Sequence, residues 1–378
     1  MLTSTELLTQ LISIPSVNPL LSTDGAAEDE RKLAEYVADQ LRSDAVGVEL
    51  QEVLDGRCNV IGHVPRRGNA DDAVILLSAH MDTYPEGGVR AGYQPVREGS
   101  VIYGRGSADA KGSLAAMMAA FLSVAREPTG REAYFVATVD EECLLLGATQ
   151  LASHGMRPTL AITGEPTSLV PIVAQKGIIR GSFHVGGPKA HAAYPTPDTA
   201  ITAAADLVQA VRQLNSDFAA EFTDARLGPP TLTVTRIQSD GGMNLAAREV
   251  TVWFDGRFLP GTSGHEFAQD IERRLRALLP DDVELATNGL TFTSPPNDSP
   301  LTHPTLAGFC ATVRDVAGSC EPGSFAYGSE AGVLASFSDV SLAFGPGDPS
   351  YSHGEVELID TDELETATET FRRTLLGR

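Results

Sequence analysis

Short unbroken apolar runs alternate with helical periodicity over the first half of the chain. Val74-Ile75-Leu76-Leu77, Tyr134-Phe135-Val136-Ala137-Thr138-Val139 and Leu160-Ala161-Ile162-Thr163 read as strands buried on both faces. Between the first two, residues 114–124 are rich in Ala, Met and Leu and read as a helix. This alternation predicts an α/β layer around a largely parallel sheet. Near the start of the chain, Leu7, Leu8, Leu11 and Ile12 fall on one helical face, with Thr3 and Glu6 at capping-box spacing.

The pattern changes near Lys176-Gly177. A strand (178–185), a helix (199–215), two strands (231–237 and 249–258), a helix (265–279) and a strand (283–293) follow. That βαββαβ order is the ferredoxin-like arrangement, and Pro295-Pro296 closes it. Helix and strand patterns then resume, ending in Val340-Ser341-Leu342-Ala343-Phe344 and a C-terminal helix from about Asp360. The expected organisation is one α/β domain built from residues 1–177 and 294–378, with residues 178–293 inserted as a smaller domain. No internal repeat or low-complexity stretch interrupts it.

Composition narrows the function. A chain of 378 residues is too long for one ordinary core, and 42% hydrophobic residues exclude wholesale disorder. Lysine and arginine number 28 against 50 acidic residues, a net charge of −22 that repels phosphate backbones and anionic lipid. Nucleic acid and membrane surfaces are therefore not expected partners. No apolar run reaches the roughly 18–20 residues of a membrane span. The first residues lack a basic segment ahead of their apolar positions and meet Pro15 early, unlike a signal peptide. Cys58, Cys143, Cys310 and Cys320 show no CxxC pairing, so free thiols in a cytoplasmic protein are the expectation.

Open α/β sheets bind ligands beyond the carboxyl ends of their strands. His80 and Asp82 follow the first apolar run, Asp140-Glu141-Glu142 the second, and Gly164-Glu165-Pro166 the third. After Phe344 come Gly345-Pro346-Gly347-Asp348 and then His353, while Asp109 stands just before the long helix. Singly, each has a plain explanation as a turn residue, a helix cap or a surface imidazole. Together they put a carboxylate or imidazole at four expected strand ends and one helix entry, all on the edge where sites form. Histidines mixed with carboxylates suit a hydrolytic divalent metal, zinc first. His80, Asp109, Glu142, Glu165 and His353 are too many for one catalytic zinc, which takes about three protein ligands. If one carboxylate bridges, the five supply three bonds to each of two ions, spaced roughly 3.5–4 Å. Gly104-Arg105-Gly106 opens like a dinucleotide fingerprint but has Asp109 at the place of the third glycine. Tyr327-Gly328-Ser329-Glu330-Ala331-Gly332 misses the nucleophile-elbow spacing by one residue.

His80-Met81-Asp82-Thr83, the segment Gly104-Arg105-Gly106-Ser107-Ala108-Asp109-Ala110-Lys111-Gly112, Asp140-Glu141-Glu142 and Gly164-Glu165-Pro166-Thr167 occur in that order. They resemble the signature blocks of the acetylornithine deacetylase, succinyl-diaminopimelate desuccinylase and aminoacylase metallohydrolase family, over nearly the whole chain. The resemblance implies a metallopeptidase-like catalytic domain, with the insert as a lid through which homodimers form. It also implies two divalent ions per chain, zinc first, with cobalt or manganese as alternatives. His80, Asp109 and Glu165 would hold one ion and Asp109, Glu142 and His353 the other, Asp109 bridging. Glu141 would be the general base, and Asp82 would orient His80. Gly187-Pro188-Lys189-Ala190-His191-Ala192-Ala193-Tyr194-Pro195 resembles the lid segment whose histidine reaches the partner subunit's site. Asn244, Arg257, Ser329 and Glu330 would be substrate-binding positions.

Gly164-Glu165-Pro166-Thr167-Ser168-Leu169, Gln175-Lys176-Gly177 and Ser329-Glu330-Ala331 look closest to acetylornithine deacetylases. Tyr84 and Ala110 depart from the commoner small aliphatic and Met. The expected reaction is hydrolysis of an N-acyl amino acid, N²-acetylornithine to ornithine and acetate first, with Arg257 on the substrate α-carboxylate and His191 on the oxyanion. A desuccinylase, an aminoacylase or a dipeptidase are the alternatives within the family. A non-catalytic metal-binding scaffold is the alternative outside it, and Glu141 beside Glu142 argues against that, since a metal binder needs no base. Neighbouring side chains in an extended segment point opposite ways, which separates those two glutamates into two tasks.

Overall fold

A computed structural model describes residues 2–378 apart from 23–28, 43–44, 129, 189, 195–197, 223, 281–282 and 284. Lys189 and Pro195 of the segment 187–195 therefore lie outside the described residues. The chain divides into two compact units. One comprises Met1–Val173, Ser299–Gly323 and Ser329–Arg378, and the other Ala174–Asp298 with Ser324–Gly328.

In the first unit the apolar runs form the middle of a mixed sheet. Its strands of four or more residues run in the order Gly47–Leu54, Arg57–Val64, Glu132–Thr138, Val74–His80, Leu160–Thr163, Val340–Ala343 and Ile172–Gln175. The pairs joining Glu132–Thr138 to Val74–His80, Val74–His80 to Leu160–Thr163, and Leu160–Thr163 to Val340–Ala343 are parallel. The pairs outside this block are antiparallel. Both faces are covered, which is why the central strands read as continuous apolar runs. On one face, the helix Lys111–Val124 is buried nearly all round, because the helices Ser4–Ile12 and Thr361–Leu376 pack over it. Ser4–Ile12 carries the expected capping box, and its Leu7, Leu8, Leu11 and Ile12 are buried. On the other face a smaller cluster joins Leu76, Val136 and Ala161 to Leu151, Leu334 and Phe337.

The second unit has the order expected from its periodicity, with strands Gly177–Gly186, Thr231–Ser239, Glu249–Phe258 and Leu285–Ser294 and helices Ala200–Glu221 and Gly264–Leu278. Its sheet runs Thr231–Ser239, Glu249–Phe258, Gly177–Gly186, Leu285–Ser294, with every pair antiparallel. That is the ferredoxin-like strand order. Thr199 and Ser263 each close a capping box at a helix start. Leu207, Leu214 and Phe218 of one helix and Phe267, Ile271 and Leu275 of the other face Ile179, Phe183, Val252 and Phe254 of the sheet. All four cysteines are free thiols, and among the described residues no helix is long and apolar enough to cross a membrane.

Candidate active site

The parallel register sets the floor of the site. His80 lies opposite Thr138, and Ser78 and Ala343 each lie opposite Thr163, so four neighbouring strands end at nearly one level. His80 is the last residue of its strand, Glu141 and Glu142 follow Thr138, Glu165 follows Thr163, and the segment after Ala343 leads to His353. A Cβ on Gly345 would come within 2.1 Å of Ser113 Oγ and 2.5 Å of the Glu165 carbonyl. Only glycine lets that segment leave the strand against the residue that carries the Glu165 side chain.

Asp109 is the centre of the cluster. Its Oδ1 lies 3.1 Å from His80 Nε2 and its Oδ2 3.3 Å from His353 Nε2. His353 Nε2 also lies 3.1 Å from the Glu142 carboxylate. Among the described residues, ligand atoms of His80, Asp109 and Glu142 all fall within 4.8 Å of one another. Glu165 is buried, and its Oε1 has no hydrogen-bond partner among the described residues. Tyr84 stacks on the His353 ring, with centroids 3.8 Å apart at 24°.

Burial raises the Glu141 carboxyl well above the usual range, and Glu165 raises it further. Burial likewise raises Glu165, helped by Asp109, and pushes Glu142 up to about 7 with Asp109 again adding. Burial opposes ionisation of Asp109 too, but the His353 and His80 rings outweigh it and hold that carboxyl below the usual range. For His353, burial lowers the ring, and Asp109 and Glu142 overcome this to push it up to about 10. So many carboxylates in so little volume call for positive charge. The donor set fits a divalent pair: a carboxylate with each oxygen turned to a different imidazole, and a buried carboxylate oxygen with no partner.

Asp82 does more than face His80. The His80 Nδ1 lies 2.9 Å from the Asp82 carbonyl oxygen and 3.4 Å from its Oδ1. The same carboxylate accepts the backbone N–H of Glu141 on Oδ1 and of Glu142 on Oδ2, each at 3.0 Å. Asn18 Nδ2 donates to Asp82 Oδ2 at 2.8 Å and to Asp140 Oδ1 at 3.0 Å, and the buried Arg57–Glu30 pair lies behind, with Arg57 3.4 Å from Asp140. Asp140 has φ +65°, and Glu141 and Glu142 lie in a turn. The expectation of an extended segment there is corrected. The chain reverses because one carboxylate gathers two successive amides, and the two glutamates still part company, Glu142 pairing with His353 while Glu141 takes no hydrogen bond on its carboxylate among the described residues.

Ser329 and Glu330 are buried. Glu330 Oε2 accepts from Ser78 Oγ at 3.1 Å and Thr163 Oγ1 at 3.3 Å, so this carboxyl lies on the strands rather than facing solvent. In the second unit His191 is exposed and forms a bridge with Leu245, and Ala192 N–H donates to the Asn244 carbonyl at 3.0 Å. His191 Nδ1 accepts the Ala193 N–H at 3.1 Å, which puts the neutral ring's proton on Nε2. Arg257 makes a two-point pair with Asp255, at 2.6 and 3.1 Å. Sequence reasoning missed Asn18 and Glu357. Glu357 stands four residues beyond His353 in an irregular segment, where spacing carries no periodic signal.

An acetylornithine deacetylase of Aliivibrio salmonicida (strain LFI1238) is 27% identical over 361 residues, 93% of this chain and 92% of that one. The aminopeptidase PepT of Bacillus cereus ATCC 10987 superposes with a TM-score of 0.76 at 18% identity, covering 99% and 97% of the two chains. The YXEP protein of Bacillus subtilis, described as a dinuclear metal binding peptidase, gives a TM-score of 0.71 at 11% identity, covering 99% and 96%. Residues 76–377 match the M20/M25/M40 description itself, and the chain belongs to that peptidase family.

Proposed function

We propose that the protein is a two-metal amidohydrolase that cleaves the N-acyl amide of an N-acyl amino acid, N²-acetylornithine first. The observation that carries this reading is the Asp109 carboxylate between two imidazoles, with Glu142 in the same cluster and the buried Glu165 near enough to feel its charge. His80, Asp109 and Glu165 would hold one ion and Asp109, Glu142 and His353 the other. When bound, such a pair supplies Lewis acidity and lowers the pKa of a water. Glu141 takes the proton of the attacking water and passes it to the leaving nitrogen. Asp82 keeps the Glu141 backbone and the His80 ring in place, and Arg257 pairs with the substrate α-carboxylate. The acyl group and amino acid follow the deacetylase relative. Free thiols fit a cytoplasmic setting.

A panel of N-acetyl, N-succinyl and dipeptide substrates, assayed with zinc and with cobalt, tests the assignment. N²-acetylornithine should give the highest kcat/KM, and N-acetylputrescine, which lacks the α-carboxylate, should be poor. Preference for a succinyl substrate or a dipeptide would move the protein elsewhere in its family. No turnover on any member, with metal bound, would leave a scaffold.

We further propose that His191 acts across a homodimer formed by the second unit, its Nε2–H donating to the oxyanion in the partner's site. His191→Ala should keep its metals and lose on the order of 10²–10³ in rate, as when one oxyanion donor is removed. His191→Ala and Glu141→Ala chains refolded together should recover about a quarter of wild-type activity, because about half the dimers are mixed and each of those has one intact site. No recovery would place His191 within its own chain's site.

A further inference from the structure

We propose that Arg105 and Glu357 form a buried clamp that positions the loops carrying Asp109 and His353, and so set how tightly the site holds its ions. The proposal rests on the metal-site reading above. Both side chains are buried, at 4% and 1% exposure, and their charged groups meet at 2.8 Å.

The Glu357 carboxylate is fully subscribed. Oε2 accepts from Arg105 and from Gly106 N–H at 2.9 Å, and Oε1 accepts from Ala108 N–H and from the N–H of Asp109 itself, each at 3.1 Å. Three amides of one short loop converge on one side chain because Gly106 turns it with φ +82°, where a Cβ would press to 3.0 Å against Lys111 and Thr83. Arg105 reaches the other way. Its guanidinium donates to the carbonyls of Pro85 at 3.1 Å and of Glu86 and Gly354, each at 3.4 Å. The segment after Asp82, the segment of Asp109 and the segment of His353 are thus tied at one point. Backbone bonds add to the knot, from Gly104 N–H to Glu357 O and from Arg90 N–H to Glu355 O.

Stability alone is a poor reason for such a pair, since apolar residues of similar volume are often as stable in its place. An apolar pair could not accept three backbone N–H groups or donate to three carbonyls. A carboxylate that must stand between two imidazoles needs its own backbone held to within about half an ångström, and the Asp109 N–H is one of the groups Glu357 grips.

Glu357→Gln tests this, because the amide keeps the shape but offers one acceptor oxygen in place of two. Zinc and cobalt affinity would be read by competition with a chelator of known strength, beside thermal unfolding and steady-state kinetics. The expected result is a folded protein whose weaker ion binds about 10–100-fold less tightly, with kcat recovering as metal is raised and KM nearly unchanged. Arg105→Lys, which keeps the charge but loses the fork, should shift affinity in the same direction, and it decides the matter if the glutamine variant does not fold. Wild-type affinity in a folded variant would overturn the clamp, as would a raised KM with metal binding intact. A wild-type protein that binds no ion would instead overturn the metal-site reading.

Discussion

Stripping the protein with a chelator should abolish turnover, and returning zinc or cobalt should restore it to a plateau at two ions per chain. The loss should exceed about a hundredfold, since divalent ions contribute several kcal/mol of charge stabilisation in such sites. The cluster explains why uptake should also depend on pH. In the stripped protein Asp109 and Glu142 hold the His353 ring protonated, up to about 10, against the opposing effect of its burial. A protonated ring cannot ligate, so a metal must displace that proton. Apparent affinity should therefore rise as pH rises toward the ring's value and fall as pH drops, and uptake should release protons, measurable by calorimetry in buffers of different ionisation enthalpy. Full activity with one tightly held ion, unchanged by added metal, would refute the two-ion site.

The strand ends were legible in the sequence because a strand buried on both faces leaves an unbroken apolar run, and a charged residue directly after it stands out. Val74–His80, Glu132–Thr138 and Leu160–Thr163 announce themselves in this way, and Val340–Ala343 does so by its apolar run alone. The inserted unit was legible too, since its strands and helices alternate with clear periods. The hairpin Gly47–Leu54 with Arg57–Val64 escaped notice although Asp55-Gly56 between the two strands is a strong turn signal. Its first strand is half solvated, so no continuous apolar run marks it. The small sheet of Val96–Glu98, Val101–Tyr103 and Leu358–Asp360 has strands of three residues, and one comes from far along the chain, so no local pattern encodes it. The same limit applies to the site. His80 and Glu165 can be read from position alone, whereas what Asn18, Arg105 and Glu357 do depends on partners as far as 252 residues away. The turn at Asp140 was invisible for a related reason, since the Asp82 carboxylate that gathers its amides comes from the segment after the neighbouring strand Val74–His80.

Glu141→Gln should leave the metals in place and lower kcat by on the order of 10²–10⁴, the usual worth of a positioned base. The substitution is nearly isosteric, and the backbone N–H that Asp82 holds is untouched, so the turn and the neighbouring Glu142 keep their places. The Glu141 carboxylate has no hydrogen-bond partner among the described residues, and burial, with Glu165 next, raises its pKa well above the usual carboxylate range. A carboxylate with no hydrogen-bond partner among the described residues, and with its pKa raised by burial, is suited to accept a proton and then give it up. The sign of the pH effect follows. The acid is inactive as a base, so kcat should rise with pH through the Glu141 titration in the wild type, and this limb should vanish in Glu141→Gln. Glu142→Gln should behave differently: Glu142 pairs with His353 at 3.1 Å, so its loss should show first as weaker metal binding. Metal content and pH–rate profiles of the two variants, measured side by side, separate the roles. If Glu141→Gln loses an ion while Glu142→Gln keeps both and loses rate, the base and the ligand must be exchanged.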